Sequence, residues 1–138
     1  MNKYYQAFIS NGISVSIEAT THDDNTVFNL TVFDTDYNKC RLENIDIECL
    51  KVYFEDLLDD VLRFSYINNY EIRKPYILSK DGTALGSIAY DKRDDKVIIV
   101  LGQFVGDIFL YQRDIVAKHI KELVDMLDDI IEEYGLNV

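Results

Sequence analysis

Adjacent carboxylates recur along the chain, at Asp23-Asp24, Asp59-Asp60, Asp94-Asp95, Asp128-Asp129 and Glu132-Glu133. Two carboxyl groups facing each other across a cleft can hydrolyse a glycoside, one protonated and one ionised. Neighbouring residues on a helix point in different directions, so these pairs read as charged faces rather than acid–base machinery. Asp34-Thr35-Asp36-Tyr37-Asn38 opens like a calcium loop. Its sixth position is Lys39, where such a loop needs Gly, and its twelfth is Ile45, where it needs a bidentate Glu. It reads as a polar connection between a strand and a helix. His22 and His119 lack companions at metal-ligand spacing.

Other routes to catalysis are equally bare. Gly82-Thr83-Ala84-Leu85-Gly86 lacks the lysine and following helix of a phosphate loop. Gly102 and Gly106 do not make a dinucleotide fingerprint. No serine sits in a nucleophile elbow, and nothing local joins Cys40 to His119 as nucleophile and base. The expectation is a protein that is not an enzyme and uses no metal or cofactor. Cys40 and Cys49, without an export signal, read as two reduced packing cysteines in a cytoplasmic protein.

Charge gives the positive signal. Among 138 residues, 25 Asp and Glu outnumber 14 Lys and Arg, for a net charge of −11. That balance argues against direct binding to nucleic acid, which selects clustered Lys and Arg, and against anionic membranes. It suits a basic protein partner, although acidity also serves solubility alone. The acids concentrate in residues 46–60 and 114–134. The expected partner-binding residues are Glu55, Asp56, Asp59 and Asp60 in the first stretch and Asp125, Asp128 and Asp129 in the second. No membrane contact is expected, and the chain should be a monomer or weak homodimer.

The elements that must carry these residues repeat. Leu57-Leu58-Asp59-Asp60-Val61-Leu62 matches Met126-Leu127-Asp128-Asp129-Ile130-Ile131, an offset of 69 residues. At that offset Val27–Val32 meets Lys96–Leu101, and Ala7–Ser10 meets Tyr76–Ser79. The single domain is therefore read as two copies, 1–69 and 70–138. Each copy reads as three strands and a helix. Strands are expected over about 3–9, 13–17 and 26–34, then about 72–79, 84–90 and 96–103. Asn11-Gly12 and Asp81-Gly82 are turn dipeptides in which Gly can take positive φ. Pro75 cannot donate to a ladder, so its strand lies at an edge or begins at about Tyr76.

Ile47, Leu50, Phe54, Leu57 and Val61 recur at helical spacing, as do Val116, Ile120, Leu123, Leu127, Ile130 and Tyr134. Asp46 and Asp114 are the expected N-caps and Gly135 the expected C-cap. About 69 residues with one helix make a poor independent core, so the copies should share one. The expected class is α+β, a tandem βββα repeat. It would form a mainly antiparallel sheet of about six strands, or two abutting three-stranded sheets, covered by two helices.

The layout supports a resemblance. A strand ending near Gly12 leads to the Ile13–Ile17 strand, the Val27–Phe33 strand and the Cys49–Leu58 helix. Gly86-Ser87-Ile88-Ala89-Tyr90, the Val97–Leu101 strand and a helix led by Arg113-Asp114-Ile115 follow. This order resembles the WapI-like immunity proteins, which protect bacteria from wall-associated and related contact-dependent toxins. A tryptophan-rich turn found in some members has no counterpart, since the chain has no Trp. The resemblance implies a cytoplasmic antitoxin without catalysis that binds a cognate toxin domain, often a nuclease with a basic cleft. Two other readings stay open: a phage-encoded inhibitor of a defence nuclease acting as a nucleic-acid mimic, and a secretion-type chaperone.

Overall fold

In Ile13–Ala19 every second residue is apolar, and these are the residues that are buried. This alternation makes a strand with one face in the core. The computed structural model describes residues 2–63, 71–72 and 75–136. Strands β1 (Asn2–Ser10), β2 (Ile13–His22), β3 (Asn25–Asp34) and β4 (Lys39–Leu42) form an antiparallel sheet in chain order. Helix α1 (Ile47–Arg63) follows. In the second half, β5 (Glu71–Ile72) and β6 (Tyr76–Ile77) both pair with β7 (Leu85–Asp91). Then come β8 (Lys96–Leu101), β9 (Phe104–Phe109), a 3-10 turn at Leu110–Gln112 and helix α2 (Arg113–Tyr134).

The class is α+β, with two antiparallel sheets and two helices. Expecting three strands per half undercounts, because β4 and β9 add a row to each sheet. In β9 the buried positions are Phe104, Gly106 and Ile108, and the outward ones Val105, Asp107 and Phe109. Apolar residues on both sides and an inward glycine hide that period. The expected strand over 72–79 is broken into β5 and β6, with β6 starting just after Pro75. Its positions 73 and 74, and the boundary between the halves at 69 and 70, lie outside the described residues.

Turns and caps depart from expectation in two places. Asn11-Gly12 turns the chain without positive φ. The two-residue hairpin that uses positive φ at both positions is Asp23-Asp24, with φ 50° and 64°, closing His22 on Asn25. Asp46 caps α1, its Oδ1 accepting from the Cys49 backbone N–H at 3.2 Å. Asp114 is not a cap. The 3-10 turn runs straight into α2, Gln112 takes the capping position without a side-chain bond, and Asp114 sits in the first turn. Gly135 ends α2 at φ 62°.

The two sheets are stitched edge to edge. Ile45 N–H donates to the Phe28 carbonyl at 2.7 Å, tying the chain after β4 to the first sheet. Asp46 N–H then donates to the Leu78 carbonyl at 2.8 Å, and Lys80 N–H to the Asn44 carbonyl at 2.9 Å, tying it to the second.

The helices are exchanged between the halves. On α1, Tyr53 is buried against the second sheet, its hydroxyl donating to the Ser87 carbonyl at 2.8 Å. Gly86 permits that approach: a Cβ there would lie 2.8 Å from Leu78 Cδ1 and 3.1 Å from Tyr53 Cε2. On α2, Tyr134 meets the Phe28 ring edge-on at 5.2 Å in the first sheet. Glu133 accepts from Lys3 Nζ and from the Tyr5 hydroxyl, the latter at 2.7 Å. Each helix thus covers the other half's sheet, and one core spans both. No helix among the described residues is long and apolar enough to cross a membrane. Both cysteines are free. Cys40 is half-buried, but Cys49 is exposed on the first turn of α1 rather than packed.

Carboxylates hold one of these junctions through Glu133, the first sheet through Glu18 and the turn after β6 through Asp81, which sets an acid limit on stability. Lys3, and after it Tyr5, lower the Glu133 pKa, while Asn29, Tyr4 and Arg41 lower that of Glu18. Thr83 and Ser79 push Asp81 down to about 2. A depressed folded pKa adds stability above the unfolded value, about 3.9 for Asp and 4.3 for Glu, which is lost as pH falls through the folded value. The thermal midpoint should therefore be flat near neutrality and fall below about pH 4.5. Circular dichroism melts against pH test this. Glu133→Gln should flatten part of the acid slope, and an unchanged slope would refute the assignment.

Candidate functional site

The acidic stretches fall on the two helices, which pack side by side. Lys51, near the start of α1, donates to Asp128, near the end of α2, so the helices run antiparallel. Around that pair lies a groove of about 210 Å³ lined by Glu48, Lys51, Val52, Glu55, Asp128 and Ile131. The hydrogen bond to Asp128 holds the Lys51 ammonium above the usual lysine range, and the charges of Glu55 and Glu48 add to the effect. Three carboxylates face one ammonium here, so the groove keeps net negative charge after the pair forms.

The expected binding residues separate by helix face. Glu55 and Asp59 are exposed on α1, and Asp125, Asp128 and Asp129 are exposed on α2. Of these the structure brings Glu55 and Asp128 into the one groove. Asp56 is half-buried and accepts from the Tyr76 hydroxyl at 2.7 Å, which ties α1 to β6. Asp60 corrects the expectation that it lies on the outer face, because it is only 2% exposed. It follows Leu57 by three residues and so falls on the inward stripe with Leu50, Phe54 and Val61.

The neighbourhood of α2 sharpens the charge. Its last turn carries acids and no basic residue. Carboxylates there face the negative end of the helix dipole, an arrangement that lowers helix stability slightly. Lys118 and Lys121 dilute the charge towards the other end of the helix.

A second surface escaped sequence reasoning. The outer side of the first sheet carries Tyr4, Phe8 and Phe33 around a floor that includes Ser16 and Thr31. A depression of about 350 Å³ opens there beside Tyr37, whose side chain is 95% exposed. Asp34 fixes this corner, accepting from the backbone N–H groups of Asp36 and Asn38 at 2.9 and 3.0 Å. That is what the calcium-like sequence does in the fold. Exposed aromatics of this kind are enriched in protein interfaces. The available signal was the alternation of Tyr4, Gln6 and Phe8, opposite in phase to the buried residues.

His22 ends β2 at the Asp23-Asp24 turn, 3.4 Å from Asp23. His119 is half-buried, its Nε2 3.2 Å from Asn11 Oδ1 and its ring beside Phe8. No family model matches the chain, and no curated protein matches its sequence.

Proposed function

We propose that the chain is an immunity protein, a non-catalytic antitoxin that binds and neutralises a cognate toxin domain through the acidic face of its helix pair. The observation that supports this reading is the groove in which Glu48, Glu55 and Asp128 surround a single Lys51. Exposed Asp59, Asp125 and Asp129 extend the negative surface on the same two helices. A field of one sign attracts a basic partner and raises its association rate. A nuclease is the natural target, since its cleft is built to accept phosphate and an acidic surface competes for it. In this reading the chain acts in the cytoplasm and belongs with the WapI-like immunity proteins whose layout it resembles.

Growth rescue tests the proposal. The product encoded beside this chain should be toxic when expressed alone, and co-expression of the chain should restore growth. A neighbour without toxicity, or toxicity that the chain leaves untouched, would refute the reading.

A further inference from the structure

Polar side chains with unused bonding capacity meet on the solvent side of the first sheet. Gln6, Ser16 and Thr31 stand in one row across β1, β2 and β3, since Gln6 pairs in register with Ser16 and Ser16 with Thr31. Phe33 faces Lys39 two residues further along β3. All of these line the depression of about 350 Å³, together with Asp34 and Tyr37. The side chains of Gln6, Ser16, Thr31 and Lys39 make no hydrogen bond or ion pair among the described residues.

Tyr37 adds a second observation. It sits at φ 66°, in the left-handed region that a bulky residue rarely adopts, and its ring is almost wholly exposed. The turn closed by the Asp34 N–H on the Asn38 carbonyl, at 3.1 Å, holds it there. Asparagine meets that conformation at lower cost. Neither packing nor backbone geometry calls for a ring at this position, which leaves binding as its use. Charge inside the depression cancels. Lys39 brings one cation and Asp34 one anion, kept ionised because the hydrogen bond from the Asn38 amide lowers its pKa.

We propose that this depression binds a neutral saccharide one or two rings in size. Its volume is at the low end of the range for ligand sites, about 300–1,000 Å³. With its charges balanced, it favours neither a cation nor an anion. A sugar ring matches both kinds of surface present. Its C–H side packs on the electron-rich rings of Tyr37 and Phe33. Its hydroxyls donate and accept, so Gln6, Ser16, Thr31 and Lys39 all gain partners. An apolar occupant, including the aromatic patch of a protein, would cover those groups unpaired and lose free energy at each. The site is separate from the helix pair, because α2 covers the opposite side of this sheet.

Nuclear magnetic resonance titration read at the backbone amides tests this, with glucose, galactose, N-acetylglucosamine and maltose as probes. At least one should give saturable shifts at Gln6, Ser16, Thr31, Tyr37 and Lys39, with a dissociation constant of about 0.1–10 mM for so small a ligand. Phenol, a ring with one hydroxyl, should bind more weakly than the best sugar. Tyr37→Asn should weaken sugar binding at least about 10-fold. It should also raise the thermal midpoint by relieving the backbone, which loss of a structural ring would not do. Thr31→Val keeps the side chain's shape, removes its hydroxyl and should weaken binding about 2- to 10-fold. No saturable shift from any of these sugars, phenol binding as well as the best of them, or sugar binding untouched by both variants would overturn the proposal. A depression that ignores sugars and shifts only with a protein partner would overturn it too, as a protein contact.

Discussion

A fragment of residues 1–69 produced alone is expected to be unfolded, and so is one of residues 70–138. Mixed in equal amounts, the two should regain helical circular dichroism and a cooperative melt. The reason is the exchange of helices. In the first fragment Leu50, Tyr53, Phe54, Leu57 and Val61 would lose the second sheet and α2, against which α1 is buried. Each such side chain contributes about 1.5–3 kcal/mol by burial, and five together rival the 5–15 kcal/mol that holds a whole domain. The second fragment loses the first sheet under α2 in the same way, including the Tyr134–Phe28 contact and the Glu133 bonds to Lys3 and Tyr5. A cooperative melt from either fragment alone would contradict the shared core.

Under the proposed function, Asp125→Lys combined with Asp129→Lys should slow association with the proposed toxin domain by about 10-fold to 1000-fold at low ionic strength, the range that electrostatic steering supplies. Stopped-flow mixing reads this directly. The loss should shrink as salt rises, since charges are screened beyond about 8 Å at physiological ionic strength. Both residues are exposed, so folding stability should stay within about 1 kcal/mol. Each change also removes negative charge from a chain of net charge −11, so relief of self-repulsion should make any shift upward. Binding and stability would then move in opposite directions. An unchanged association rate would leave the acids with solubility as their only role. The same exchange at Asp59 and Asp60 is no substitute, because Asp60 is buried and a lysine there would disturb the core.

Helices were the most legible part of the sequence. Ile47, Leu50, Phe54, Leu57 and Val61, and their counterparts on α2, make stripes that only a helix can bury on one side. The long strands β2 and β3 were legible because polar Ser, Glu and Asn residues alternate with buried apolar ones. Strand β4 is only four residues long, and β9 is apolar on both sides, so neither carries a clear period. Which helix covers which sheet was not legible, because a stripe records that a face is buried and not what buries it. The placement of Asp60 was legible in principle. Its spacing from Leu57 and Phe54 puts it on the stripe, but its charge outweighed its position in the reading. The exposed Tyr4, Phe8 and Phe33 could not be told from core aromatics by residue type alone.

Carboxyl footprinting of the complex tests the central claim most directly. Carbodiimide-driven labelling of Asp and Glu, read by mass spectrometry, compares the free chain with the chain bound to the proposed toxin domain. Glu48, Glu55, Asp59, Asp125 and Asp129 should lose reactivity on binding, while Asp24 in the turn between β2 and β3 and Glu43 beside β4 keep theirs. Full labelling of the helix acids in the complex, with protection confined to groups on the outer side of the first sheet, would contradict docking through the helix pair.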